Sequence, residues 1–330
     1  MDKVALITGI TGQDGSYLAE ELLDAGYSVH GIVRRNSIPE HQQSRIGHLS
    51  PNVSTYYGDV LDVGSVRRIV ESAQPTHVFN LAAQSHVRIS FDIPQFTLEV
   101  NLIGLFNVLE AVRELVPASR VYQASSSEMF GTSIDEDGYQ RETTPMHPAS
   151  PYGIAKLAAF HLARTFRDGY GLFVANGILF NHESPRRGSN FVSRKIIKAA
   201  VRIAHGSQST LSLGNLESLR DWGHSRDYVK AMQIMLEASE PDDYVVATGQ
   251  VHTVRDLCER AFRHFNLDYQ DFISIDPRLY RPKEVPELRG DSSKIRRELG
   301  WEPDYDFDKL VNEMVVHEET RFLNEGDYHD

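Results

Sequence analysis

The sequence predicts an α/β fold, a doubly wound parallel sheet with a smaller mixed α/β domain attached, on three observations. Short apolar runs alternate with helical patterns through the first half of the chain. A glycine-rich turn joins the first run to the first helix. Beyond Asn181 the alternation gives way to charged, glycine-rich segments and a series of helices. Alternation of this kind calls for a parallel sheet covered on both faces. The 330 residues, 41% of them hydrophobic, suffice for one large α/β domain carrying a smaller one.

The elements follow in order. Val4–Thr8 is a short apolar strand, and Tyr17, Leu18, Leu22 and Leu23 give helical spacing across 14–26. Gly26 is placed to end that helix. Residues 28–33 form the second strand, with further strands at 54–58, 77–81, 120–125 and 172–179. Helices cover 65–73, 95–116 and 151–170 between them. After Phe180, residues 183–189 and 214–223 read as charged, glycine-rich turns, with helices near 227–238, 254–266, 292–299 and 307–324. Residues 245–248 can return as one more strand of the main sheet. Met232, Met235 and Leu236 stand at helical spacing and belong to the core. The single cysteine, Cys258, lies in a helical pattern and reads as a buried thiol, not a nucleophile.

Composition narrows the function classes. A net charge of −12 argues against broad nucleic-acid binding, although local arginines can still hold an anionic small ligand. No stretch has the ~18–20 unbroken apolar residues a bilayer span needs, and the first residues lack a signal pattern. A cytoplasmic protein with no membrane partner and no metal is expected.

The turn Gly9-Ile10-Thr11-Gly12-Gln13-Asp14-Gly15 follows a strand and opens a helix. Glycines at this spacing allow a tight turn and close backbone approach to a pyrophosphate, which then meets free N–H groups at the helix start. This is the Rossmann-type arrangement. Arg34 and Arg35 end the second strand, where an enzyme using NAD places an acid for the ribose hydroxyl; two guanidinium groups suit a 2′-phosphate, so NADP is favoured. A solvated basic turn is the alternative. Asp59, before Val60, stands where an acid reaches an adenine edge or caps a turn. The small residues of Leu81-Ala82-Ala83-Gln84-Ser85 either admit a cofactor or simply pack tightly. The NADP-binding domain is placed at 1–182, joined by parts of about 216–250, and 183–330 is mainly substrate-binding.

Tyr152 and Lys156 stand four apart behind Pro151, which suits a first helical turn. That spacing puts both on one face. A phenol near pKa ~10 is too weakly acidic to serve as a base at neutral pH unless positive charge favours the phenolate, and an ammonium or a nicotinamide ring supplies it. Ser126 lies upstream and can hydrogen-bond a reacting hydroxyl. Glu128 is the discriminating residue. Dehydrogenation or 4-epimerisation needs no second base, whereas loss of water across C5 and C6 of a sugar needs a group that takes one proton and returns another. A loop cap or ion pair is the other reading of Glu128.

The whole motif set resembles the GDP-mannose 4,6-dehydratases, of the extended short-chain dehydrogenase/reductase type. The resemblance is carried by residues 9–20, 80–87, 123–131, the stretch Asn176 to Gly188, Leu213-Gly214-Asn215-Leu216, Arg220-Asp221-Trp222-Gly223-His224 and Arg281-Pro282-Lys283-Glu284-Val285. It implies a lyase in which NADP is regenerated each turnover, with Ser126, Glu128, Tyr152 and Lys156 catalytic. Ser126 stands where many members have threonine. The cofactor positions it implies are Gly9 to Asp14, Arg35, Asp59, Val60, Leu81 to Ser85, Phe96, Tyr152, Lys156, His182 and Arg187. For GDP-mannose they are Ser85, Glu128, Asn181, Arg186, Val192, Lys195, Gly214, Arg220, Arg281 and Glu284. Arginines suit a pyrophosphate because the planar fork binds two oxygens at once. Trp222 reads first as a core or interface residue. The resemblance also implies a homo-oligomer, dimer or tetramer, in which the loop at Arg34-Arg35-Asn36-Ser37 meets a neighbour's cofactor. Alternatives are a GDP-manno-heptose 4,6-dehydratase, a nucleotide-sugar 4-epimerase or 4-keto reductase, and a non-catalytic NADP-sensing protein.

Overall fold

A computed structural model describes residues 3–35, 45–280 and 283–326. Its centre is a seven-stranded sheet built from β1 (Val4–Thr8), β2 (Ser28–Val33), β3 (Val53–Tyr57), β4 (His77–Asn80), β5 (Arg120–Ser126), β6 (Phe173–Leu179) and β10 (Asp243–Val246). The order is β10-β6-β5-β4-β1-β2-β3, and every pairing is parallel. The chain winds outward from β1 to β3 and then crosses to β4 on the other side of β1. Ligands of such sheets bind where the winding reverses, beyond the carboxyl ends of the strands. Here Thr8 closes that seam: its hydroxyl donates to Asn80 Oδ1 (2.8 Å) and accepts from the N–H groups of Leu81 and Ala82.

Helices Gln13–Asp24 and Ser225–Glu237 cover one face, around Tyr17, Leu18, Leu22, Tyr228, Met232 and Met235. Helices Val63–Ala73, Gly104–Leu115 and Pro151–Tyr170 cover the other, around Ile69, Val108, Val112 and Ala163. The edge strand predicted at 245–248 is β10, two residues earlier, beside β6. The helix predicted over 95–116 is interrupted by a π turn at Glu99–Ile103. There the Asn101 amide donates to the Thr97 carbonyl, an acceptor that a widened turn leaves over, and to the Gln84 carbonyl outside the helix.

The second half departs most from expectation. Residues 214–223, read as a turn, contain β9 (Leu219–His224). This strand pairs in parallel with β7 (Asn181–Glu183) and β13 (Glu287–Leu288), and antiparallel with β11 (Val251–Thr253). The cause is pairing partners far away in sequence, which outweigh the polar local composition. The sequence reading places no element at Val192–Ala204, yet a helix forms there, with a buried stripe of Ile196, Ile197 and Ala200. It packs with helices Val254–Arg263 and Phe307–Glu325 into a separate core that includes Cys258 and Trp222. Burial pushes the Cys258 thiol up to about 12, so it is inert at neutral pH. Trp222 stacks on Phe307 with ring centres 5.6 Å apart. β8 (Leu211–Leu213) and β12 (Ile273–Ile275) form a small parallel ribbon beside this core. No helix among the described residues is long and apolar enough to cross a membrane.

A buried ion pair clamps the second core. Arg194 pairs with Glu318, their side chains 7% and 3% exposed, and Arg321 donates to the same carboxylate (2.8 Å). Removing one partner of such a pair strands the other charge. Glu318→Ala is expected to lose ~3–5 kcal/mol of unfolding free energy, measured by urea denaturation. Replacing both partners by apolar residues should recover most of it.

Candidate active site

One cleft of about 860 Å³ opens at the carboxyl ends of the sheet strands and extends to β7–β9. Its floor is the glycine turn. Gly9 has φ +74°, and a Cβ on it would stand 2.9 Å from the Ala82 nitrogen. A Cβ on Gly15 would stand 2.3 Å from the Gly9 carbonyl. The Gly12 N–H donates to that same carbonyl (2.9 Å). The turn is therefore a bare backbone cradle at the start of the Gln13–Asp24 helix. It fits a dinucleotide pyrophosphate, which needs close backbone approach and a helix N-terminus.

The reacting groups come from β5 and the Pro151–Tyr170 helix. Ser150 caps that helix by accepting from the Gly153 N–H (3.0 Å), and Pro151 occupies its first turn. Gly153 lies against the turn after β5: a Cβ there would meet the Glu128 carbonyl at 2.6 Å. This close approach draws Glu128 to Tyr152. Ser126 accepts from the Glu128 N–H (3.3 Å). The four residues Ser126, Glu128, Tyr152 and Lys156 are each at most 8% exposed and all line the cleft.

Their electrostatics differ in one respect from the sequence argument. Burial pushes the Tyr152 phenol up to about 12, against a hydrogen bond with Ser126 that pulls it down, and the Glu128 charge raises it further. Lys156 is pushed down to about 8, again by burial. Its ammonium donates to the Ala124 carbonyl (2.8 Å) and stands 5.8 Å from the centre of the Tyr152 ring. Desolvation is the largest cause for both groups.

Of the expected cofactor residues, Gly9, Thr11, Gly12, Gln13, Asp14, Gly15, Arg34, Asp59, Val60, Leu81, Ala82, Ala83, Ser85, His182 and Arg187 line the cleft. Ile10 is fully buried below the turn. Arg35 is exposed and does not border the cleft, nor do Gln84 and Phe96. Of the expected substrate residues, Asn181, Arg186, Val192, Lys195, Gly214, Arg220 and Glu284 line it. The Arg186 guanidinium, however, pairs with Glu20 (2.5 Å) and lies 4.0 Å over the Tyr17 ring. Arg281, Asn36 and Ser37 lie outside the described residues.

Two residues of the cleft region escape the sequence reading. Arg45 lines the cleft and joins two loops, donating to the carbonyls of Arg186 (3.0 Å) and Thr11 (3.2 Å). No local signal marks it. Asp221, between the cleft residues Arg220 and Trp222, is fully buried and accepts from Thr248 N and Oγ1 and from Gly249 N. Burial pushes its carboxyl up to about 6 despite those donors. In the sequence it stands out only as part of a longer motif.

The family model described as GDP-mannose 4,6 dehydratase matches residues 6–314. This chain is a member of that family. GDP-mannose 4,6 dehydratase 2 of Arabidopsis thaliana is 50% identical over 323 residues, covering 95% of this chain and 86% of the relative. The Homo sapiens GDP-mannose 4,6 dehydratase is 46% identical, covering 94% and 90%. Among solved structures, a Thermus thermophilus UDP-glucose 4-epimerase in complex with NAD is 26% identical, with a TM-score of 0.83 over 96% of this chain and 98% of that one. A dTDP-glucose 4,6-dehydratase from Bacillus anthracis, also at TM-score 0.83 over 98% of both chains, is 21% identical and shares the fold.

Proposed function

We propose that this family member is a lyase that dehydrates GDP-mannose to GDP-4-keto-6-deoxy-mannose with NADP as a recycled cofactor. The observation that carries the reading is Glu128: a carboxylate in the same cleft as Tyr152, near enough for its charge to act on the phenol. NADP, when bound, supplies hydride acceptance at C4 and hydride return at C6. Tyr152 takes the C4 hydroxyl proton while Ser126 hydrogen-bonds that hydroxyl, in a pocket where added positive charge is needed to offset a phenol pKa of about 12. Glu128 removes the C5 proton, which the C4 ketone acidifies, and gives it to the departing C6 hydroxyl as water; as hydride returns to C6, the proton taken by Tyr152 is given back at C5, which resets both groups. Lys156, buried and lining the cleft, would hold the nicotinamide ribose. Asn181, Lys195, Arg220 and Glu284, on the β7–β9 side, would hold the GDP-sugar, and the described parts of 183–326 would form most of its domain. A cytoplasmic homo-oligomer fits this reading.

The deciding experiment uses GDP-mannose deuterated at C4. Mass spectrometry of the product is expected to show loss of water with deuterium kept at C6. A C4 epimer without loss of water would favour an epimerase, and tight NADP binding with no turnover a sensor.

Cofactor choice has its own test. Arg34 lines the cleft and Arg35 follows it, exposed. Charge-assisted hydrogen bonds are worth ~1.5–3 kcal/mol each, so Arg34→Ala with Arg35→Ala should weaken NADPH binding by ~10–100-fold. NADH binding should be unchanged; an equal loss for both cofactors would contradict a 2′-phosphate site.

A further inference from the structure

Asp14 is out of place in a phosphate-binding turn. It sits in the first turn of the Gln13–Asp24 helix and borders the cleft, where free N–H groups and the helix dipole draw anions. A bare carboxylate there would repel a pyrophosphate. Its Oδ2 lies 2.8 Å from His182 Nε2. Its Oδ1 accepts from Ser225 Oγ (2.5 Å) and Gln13 Nε2 (3.2 Å), two donors that favour the ionised form. The other ring nitrogen of His182, Nδ1, is 2.7 Å from the Phe180 carbonyl. A carbonyl and an ionised carboxylate only accept, so both ring nitrogens must carry hydrogen. The geometry therefore requires an imidazolium, on a side chain 12% exposed and stacked on the Tyr228 ring at 4.6 Å.

We propose that His182 is a positioning residue that serves as the fixed counter-charge of Asp14, neutralising the carboxylate under the glycine turn so that the turn accepts the pyrophosphate of NADP(H). This rests on the cofactor reading above and goes beyond a contact role for either residue. The same bond ties the turn to β7, which carries Asn181.

The electrostatics agree in sign. Burial is the largest single influence and disfavours the imidazolium, but the Asp14 charge and the hydrogen bonds to Asp14 and Phe180 together raise the His182 pKa above its ordinary value. Burial likewise works against the Asp14 carboxylate, and His182 first, with Ser225 and Arg187, offsets it and holds the group at about 2. The charged pair thus persists from about pH 2 up to the raised His182 pKa. Its contribution is full below the ordinary imidazole pKa and is lost as pH rises through the raised one. The other groups facing the pair are Arg187, which pairs with Glu183 (3.0 Å), and the Tyr228 phenol, pushed well above its usual range by burial. Lys156, in the same cleft, titrates near 8 and must be separated from His182 in any pH profile.

A double-mutant cycle on the full chain makes that separation, with NADPH affinity read from its fluorescence. His182→Gln leaves Asp14 uncompensated and should weaken NADPH binding by about tenfold or more. In an Asp14→Asn background the same His182→Gln change should cost less than about threefold, because the repelling charge is gone. Additive losses, with His182→Gln costing as much in that background as in the wild type, would overturn the proposal. A second measurement needs no variant: ¹⁵N spectra of the wild-type chain should show both His182 ring nitrogens protonated at neutral pH. NADPH affinity should then fall as the pH is raised through that titration. A neutral ring at neutral pH overturns the proposal whatever the variants do. A wild-type chain that binds no NADPH sinks the cofactor reading itself, a result distinct from additive variants.

Discussion

Glu128→Gln is expected to lower dehydration of GDP-mannose by ~10²–10⁴-fold, the range a positioned general acid–base group contributes. Glutamine keeps the size and most hydrogen bonds of glutamate but accepts no proton from C5 and returns none to the C6 oxygen. The turn after β5 is held by Ser126 and by the contact with Gly153, so the backbone should stay in place. Oxidation at C4 does not need Glu128. With substrate deuterated at C4, the variant should therefore still pass deuterium to the cofactor, without loss of water. Product formed at the wild-type rate would remove Glu128 from the chemistry and assign the C5 and C6 protons to another group.

Tyr152→Phe is the second large effect. It removes the oxygen that takes the C4 proton and should cut kcat by ~10²–10⁴-fold. The ring remains packed, so KM for GDP-mannose should change only a few-fold. Both water loss and deuterium transfer should disappear together, which separates this variant from Glu128→Gln. Stability should fall by only ~0.5–1.5 kcal/mol, for the lost hydrogen bond to Ser126. The sign of the pH effect is also fixed. The folded phenol titrates at about 12 against an ordinary value of 10.0, so its proton adds stability that is full below the unfolded value and lost as pH rises through the folded one. Removing it should leave stability unchanged in shape between neutral pH and the onset of that titration. Retained deuterium transfer in Tyr152→Phe would assign the proton to another group, with Ser126 the first to test.

The parallel sheet was legible because its signals are local. Val4–Thr8 and the glycine turn announce themselves by short apolar runs and by a spacing that only a βα turn with close backbone contact requires. Pro151 and the Tyr152/Lys156 spacing mark a helix start and one face of it in the same way. β9 was not legible: Arg220, Asp221 and His224 make the segment look like a solvated turn, yet it is a buried strand. What makes it one is pairing with β7 and β11, and donors from Thr248 and Gly249 that satisfy Asp221. The role of Arg45 was hidden for the same reason, since its acceptors are carbonyls in two distant loops.

By itself, then, the chain's sequence determined a doubly wound sheet, a glycine turn at its first crossover and a list of reactive residue types. Tertiary structure alone decided their electrical state. Burial raised the Tyr152 phenol and lowered the Lys156 ammonium, and a contact across 168 residues joined Asp14 to His182. The physical reason is that residue spacing along a strand or helix is fixed by local geometry, whereas a proton's affinity is set by desolvation and by charges that only the folded chain brings within a few ångströms.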